Sequence, residues 1–227
     1  DRVHSMSSPI RVWSDAIAKL PDDPRAVGRW FPYLNRGDKQ LDQGNLREAF
    51  EDFRMSSTLG DKGMGMFNMG SLLLGAGRHA EALQAYDKAQ QLGYDFPGLR
   101  YQRGIALHVL GRRAEAHREF ELALTETPVL PRREAVLALK GRVALEMGQV
   151  DEAIADFEAA LKLDPRHLRA RADLGMAWLL QRNYAGARTM FSQLIEEAPD
   201  GQAYYGRALA NHGLRNKAEA LADIENA

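Results

Sequence analysis

The stretch Gly141–Pro165, which reads GRVALEMGQVDEAIADFEAALKLDP, contains the pattern that decides the fold. Gly141 is followed twelve residues later by Ala153 and four residues after that by Phe157. Helices that pack closely need a small side chain on one helix and a large one on the other, so this order predicts two paired helices. Pro165 ends the second helix, because proline cannot donate the hydrogen bond of a continuing helix. The stretch is therefore predicted to form one helix–turn–helix unit.

The same pattern occurs six times along the chain. The leading glycines are separated by 33, 34, 37, 34 and 31 residues, and each is followed by an alanine and a large apolar residue. A period near 34 residues with helical spacing inside each unit indicates a helical solenoid. The glycines are Gly37, Gly70, Gly104, Gly141, Gly175 and Gly206, the alanines are Ala49, Ala82, Ala116, Ala153, Ala187 and Ala220, and the large residues are Phe53, Tyr86, Phe120, Phe157, Phe191 and Ile224.

A second glycine follows the first by seven residues in every unit except the fifth, where Arg182 stands. Glycine at this place indicates a helix that ends in the left-handed conformation. In the sixth unit this reading places the second glycine at Gly213 and predicts two extra residues in the turn Gly213–Lys217. Basic residues precede the glycine in three units, as Arg36, Arg103 and Lys140, and we expect their aliphatic stems to pack while their charged ends reach water.

Gly141–Pro165 resembles a tetratricopeptide repeat, and the resemblance covers about residues 30–227. It implies an all-α fold, a right-handed α-α superhelix or solenoid of about six helix–turn–helix units plus an N-terminal helix. Residues 1–29 are expected to form an orphan helix, at Pro9–Leu20, and an irregular joint. The first full helix is either kinked at Pro32 or preceded by a short turn. The expected repeats are about 30–62, 63–96, 97–132, 133–167, 168–199 and 200–227, the last incomplete.

The composition narrows the function classes. The net charge of −1 lacks the positive field that draws proteins onto nucleic acid, and no apolar run reaches the length of a membrane span. The chain has no cysteine, which excludes disulfides and thiolate chemistry. Its six histidines do not pair at the spacing of helical metal ligands, and no catalytic constellation emerges. We therefore predict no enzyme activity, no metal and no cofactor for this segment.

The family resemblance also implies where a ligand would bind. In such folds the first helix of each helix–turn–helix unit lines a concave groove. The residues two places before and one place after the glycine of that helix point into the groove. Asparagines there would hold the backbone of an extended peptide, and arginines would favour a ligand carboxylate or phosphate. The predicted groove residues are Asn35, Asp38, Asn68, Ser71, Gln102, Ile105, Arg142, Asp173, Tyr204 and Arg207.

The leading hypothesis is a non-enzymatic scaffold that binds a protein or an extended peptide in this groove. One alternative is an accessory soluble domain of a membrane-embedded, glycosyltransferase-like bacterial enzyme, because Val12–Ala26 resembles the junction after the last membrane helix of such proteins. Another is a structural module that self-associates through its open ends. We expect a soluble segment of a longer protein, without nucleic-acid binding or membrane insertion of its own. It would be cytoplasmic or, as a membrane-protein tail, periplasmic.

Overall fold

The computed structural model describes residues 8–23, 26–126 and 131–227, except for the side chain of Pro97. Within these ranges the chain forms thirteen α-helices and no strand, which confirms the predicted all-α repeat fold. The helices are α1 (Pro9–Ala18), α2 (Phe31–Asp42), α3 (Leu46–Thr58), α4 (Met64–Gly75), α5 (His79–Gln91), α6 (Pro97–Val109), α7 (Arg113–Glu126), α8 (Arg133–Glu146), α9 (Val150–Leu163), α10 (Leu168–Leu180), α11 (Tyr184–Glu197), α12 (Gly201–Gly213) and α13 (Lys217–Glu225).

The chain divides into two compact units, with the boundary between Gly111 and Arg112. In unit 1, helices α1 to α6 each pack against the next along the chain, and in unit 2 helices α7 to α13 do the same. The first helices of neighbouring repeats also touch, α4 with α6 in unit 1 and α10 with both α8 and α12 in unit 2. Each unit is therefore a stack of paired helices. The predicted single repeat domain with its repeat boundaries stays a prediction.

In four repeats the glycine of the first helix lies against a ring of the second helix, as Gly37 against Phe53, Gly70 against Tyr86, Gly141 against Phe157 and Gly175 against Phe191. A Cβ added to Gly70 would lie 2.5 Å from Cε1 of Tyr86, and one added to Gly175 would lie 2.8 Å from Cζ of Phe191. Tyr86 is fully buried and Phe191 is 1% exposed. The missing side chain is thus the space into which the ring packs, and this contact joins the two helices of a repeat.

The N-terminal segment is an ordinary helix followed by a turn. The predicted orphan helix appears as α1, and its N-terminal residue Ser8 accepts a hydrogen bond from the backbone N–H of Arg11. Pro32 lies in the first turn of α2, where proline is tolerated, so the predicted kink is not present and a turn over residues 27–30 precedes the helix. Residues 24, 25 and 127–130 lie outside the described residues, and the last of these ranges falls within the long interval of 37 residues between Gly104 and Gly141.

The predicted register of the sixth repeat is wrong. Arg182 and Arg215 take the left-handed backbone conformation at the ends of α10 and α12, with φ of 63° and 66°. They are 33 residues apart, and the same interval from Gly175 leads to Ala208 rather than Gly206. Ala208 is 3% exposed, so a methyl group is small enough for this packing position. The turn therefore has no extra residues, and a glycine was mistaken for the repeat marker.

Gly206 is small for another reason. A Cβ on Gly206 would lie 2.5 Å from the ring of Phe191, the same ring that packs against Gly175 of α10. Gly213 is likewise helical, and a Cβ there would collide with the ring of Tyr184. Both glycines thus allow α12 to approach α11 closely.

The substitution Phe157→Ala should lower the free energy of unfolding by about 3–5 kcal/mol, because it leaves a cavity in a fully buried site against Gly141. The matched control is Ile224→Ala, at the equivalent place in the last repeat, where the side chain is 50% exposed and a much smaller loss is expected. Urea unfolding followed by circular dichroism measures both. Equal losses for the two variants would contradict this packing.

Burial raises the pKa of the Tyr86 hydroxyl from 10 to about 12, although the hydrogen bond to Ser71 opposes the shift. The native state therefore disfavours the phenolate, and the stability this gives is complete below pH 10 and is lost as the pH rises through 12. Urea midpoints of the wild type should fall more steeply between pH 10 and 12 than those of Tyr86→Phe. A stability difference that does not change with pH would contradict the assignment.

Candidate functional site

The predicted residues of repeats one and two lie together on one surface of unit 1. Nδ2 of Asn68 on α4 lies 3.4 Å from Oδ1 of Asp38 on α2, which brings the two predicted positions into contact across neighbouring first helices. Asn35 lies one turn before Asp38 on α2, and its Nδ2 donates to the carbonyl of Phe31 at 2.8 Å. We call the surface formed by Asn35, Asp38 and Asn68 the unit 1 face.

The other predicted residues of unit 1 are more deeply engaged in their repeats. Ser71 Oγ donates to the carbonyl of Phe67 at 3.1 Å and lies 3.4 Å from the hydroxyl of Tyr86. Gln102 and Ile105 are half-buried on α6. Of the predicted groove residues in unit 1, therefore, Asn35, Asp38 and Asn68 form the cross-helix cluster.

Asp38 is the acidic residue of the unit 1 face, and the charges around its carboxylate are not balanced. Asp38 is exposed, yet desolvation by the protein around its carboxyl raises the pKa of this group above the ordinary value, while Lys39 opposes the rise and Asp42 adds to it. The ammonium of Lys39 instead binds Oδ2 of Asp42 at 2.7 Å. The carboxylate of Asp38 has no salt-bridge partner among the residues that the structure describes.

In unit 2 two predicted residues bind each other. Arg142 on α8 and Asp173 on α10 form an ion pair, in which Nε donates to Oδ2 at 3.0 Å and Nη2 donates to the same oxygen. The two side chains are only 18% and 23% exposed. The guanidinium that we predicted for a ligand carboxylate thus has a carboxylate partner within the chain.

Arg207 is partly buried and its guanidinium is bound within its own repeat, contrary to its predicted role in the groove. Its guanidinium donates to both carboxylate oxygens of Asp223 on α13, from Nε at 3.1 and 3.0 Å, and the Asp223 side chain is 5% exposed. The ring of Tyr204 lies 5.6 Å from the guanidinium carbon and packs on it as a cation–π partner. With the corrected register, Arg207 directly precedes Ala208, and the face positions of this repeat are Gly206 and Leu209.

Arg207 belongs to a recurring pair that the sequence analysis missed. The cation before the small residue binds a carboxylate sixteen residues later on the second helix, as Arg36 binds Asp52 and Lys140 binds Asp156. The charged ends of Arg36 and Lys140, which we expected to reach water, are therefore paired inside the repeat. The facing second helix supplies a carboxylate at the same level along the helix axis. A basic residue followed by aspartate after sixteen residues was the available signal.

A serine on the preceding second helix also contacts the guanidinium of Arg36 and that of Arg207. Arg36 Nη1 donates to Ser14 Oγ at 3.3 Å, and Arg207 Nη1 lies 3.5 Å from Ser192 Oγ. The hydrogen bonds that the two arginines donate to Asp52 and Asp223 raise the pKa of Arg36 and of Arg207. These arginines therefore link three helices each and are unsuited to release their acids to a ligand.

His117, Glu152 and Asp156 are the one group among the described residues whose metal-ligand atoms converge, within 4.8 Å of one another. The ammonium of Lys140 lies among them, 2.8 Å from Glu152 Oε1 and 2.9 Å from Asp156 Oδ2. Burial alone would lower the pKa of Lys140, but these hydrogen bonds outweigh it and raise the pKa. A bound ammonium thus neutralises the carboxylates, and the group serves as a salt-bridge network.

Across the described ranges, no helix combines the length and the apolar character that crossing a bilayer requires.

Replacing Arg207 by Met should lower the free energy of unfolding by about 3 kcal/mol, because Asp223 keeps a buried charge without its partner. Arg78→Met is the matched control, since Arg78 pairs with Glu81 at the surface, with side chains 56% and 52% exposed, and this variant should lose far less stability. Chemical unfolding of both variants checks the difference. If the two losses agreed, the ion pair of Arg207 with Asp223 would contribute no more to stability than a surface pair.

Comparison with known proteins places these repeats in a described family. A family model described as "Tetratricopeptide repeat" matches residues 67–131, 139–201 and 181–227. Tetratricopeptide repeat protein 13 of Homo sapiens is 28% identical over 153 residues, which are 65% of this chain and 18% of that protein. The chain thus spans less than a fifth of this relative's length.

Two solved structures share the fold. A tetratricopeptide repeat protein from Parabacteroides merdae superimposes with a TM-score of 0.71 at 23% identity, over 86% of this chain and 77% of that one. YrrB, described as a TPR protein with an unusual peptide-binding site, superimposes with a TM-score of 0.73 at 21% identity, over 91% and 99% of the two chains.

Proposed function

This chain belongs to the tetratricopeptide repeat family, whose fold is a scaffold for protein–protein interactions, and we propose that it binds an extended segment of another protein on the unit 1 face. It would act by binding alone, without catalysing a reaction on its partner. The scaffold role follows from the family, and the peptide-binding role rests on the residues of the face.

The contact between Asn68 and Asp38 is the observation that carries the proposal. It aligns polar groups of two successive first helices, α2 and α4, along one surface. Neither Asn35 Oδ1 nor Asn68 Oδ1 receives a hydrogen bond from the residues that the structure describes. An extended peptide exposes N–H donors and carbonyl acceptors at regular intervals, so these amides offer it matching partners.

Further support comes from the position of this face and from a relative. Ser71 and Gln102 follow at the corresponding places of the next first helices, α4 and α6, and a longer segment would continue toward them. The description of YrrB as having a peptide-binding site shows that a protein of this fold can bind a peptide. Of the groove residues predicted in unit 2, Arg142 and Asp173 stay part of the proposal, although they would first have to give up their mutual ion pair.

Combined replacement of Asn35 and Asn68 by Ala should weaken peptide binding at least tenfold. The peptide is obtained by display selection from a random library on the whole chain, and its affinity is measured by isothermal titration calorimetry. The loss is expected because two pairs of backbone hydrogen bonds disappear, each worth about 1 kcal/mol.

Asn226→Ala is the matched control, because Asn226 makes the same bond to the carbonyl four residues earlier, Ala222, at 2.6 Å, but lies at the end of α13. This variant should bind like the wild type. All variants should melt within a few degrees of the wild type. A selected peptide that binds the double variant with unchanged affinity would refute the role of the unit 1 face.

A further inference from the structure

We infer that the unit 1 face selects a segment that carries a cationic side chain, arginine or lysine, and that this cation pairs with the carboxylate of Asp38. The inference rests on the proposed function and adds the chemistry of the partner. It arises from a comparison of the same structural place in the two units.

The place lies between the first helices of two successive repeats. One helix contributes the residue directly after its small residue. The next helix contributes the residue two positions before its own small residue. In unit 2 this place holds the ion pair of Arg142 and Asp173. In unit 1 the corresponding residues are Asp38 and Asn68, which meet at 3.4 Å. The geometry at this place accommodates a complete ion pair, and unit 1 supplies only its acid.

The charge of Asp38 is left without a counterion among the described residues. Asn68 offers it one long hydrogen bond from a neutral amide, and Lys39, the adjacent cation, binds Asp42 instead. The raised pKa of Asp38 agrees with this, since desolvation disfavours the ionised form by more than the charge of Lys39 favours it. A cation brought by a ligand would supply the missing charge.

An arginine suits the place better than an acidic or a neutral residue. Its planar guanidinium can donate two bonds to one carboxylate, and further donors remain for Oδ1 of Asn35 or Asn68. An acidic ligand residue would meet the like charges of Asp38 and Asp42 on the same helix. The side-chain amides of Asn35 and Asn68 would then bind the backbone of the segment, and Asp38 would determine which side chain is preferred.

The experiment repeats the display selection with the wild type and with Asp38→Asn, and then measures matched peptides by fluorescence anisotropy. Peptides selected by the wild type should be enriched in arginine or lysine at one position, and those selected by Asp38→Asn should not. Replacing the arginine by citrulline, a neutral side chain of nearly the same shape, should weaken binding to the wild type about tenfold. For Asp38→Asn the two peptides should bind within twofold of each other.

Glu51→Gln is the matched control, because it removes an exposed carboxylate on the neighbouring helix α3 that Arg54 already neutralises, and it should keep the preference for arginine. A wild type that shows no preference, or a preference that survives in Asp38→Asn, would overturn the inference. In either case a loss of binding in the Asn35→Ala and Asn68→Ala double variant would leave the proposed function standing. Peptides insensitive to that double variant would overturn both.

Discussion

The packing of a second-helix ring against a first-helix glycine is the contact on which four of the repeats depend. A Cβ on Gly70 would lie 2.5 Å from the ring of Tyr86, so the two helices can approach only where this side chain is missing or very small. The approach in turn sets the height at which the remaining side chains of the two helices meet. The buried pairs of Arg36 with Asp52 and of Arg207 with Asp223 occur at one such height.

The position before the small residue and the positions around it therefore have different physical roles. A cation before it lies between helices and is bound by a buried acid, which makes it part of the framework. A residue after it contacts the next first helix. There Arg142 pairs with the carboxylate of Asp173, and Asp38 contacts the amide of Asn68. Because the framework is the same in both units, this difference in side chains changes only what the surface offers to a partner.

The fold and half of the candidate site could be predicted from the sequence. The repeat period located the helices. The groove positions implied by the family resemblance, counted from glycines that do mark the repeats, placed Asn35, Asp38 and Asn68 on one surface. The count is wrong in the sixth repeat, because Ala208 rather than Gly206 fills the marker position, and it therefore assigned Arg207 to the face although Asp223 binds it.

The sequence by itself determined the class of fold, the helical pairing within each repeat and the absence of cysteine chemistry, because these depend on residue type and local spacing. The tertiary structure alone decided which charges are satisfied. In the sequence, Arg142, Arg207 and Asp38 are all charged residues next to the small residue that marks a first helix. Their roles differ because the partner of a charge belongs to another helix, and its distance follows from packing rather than from any local pattern.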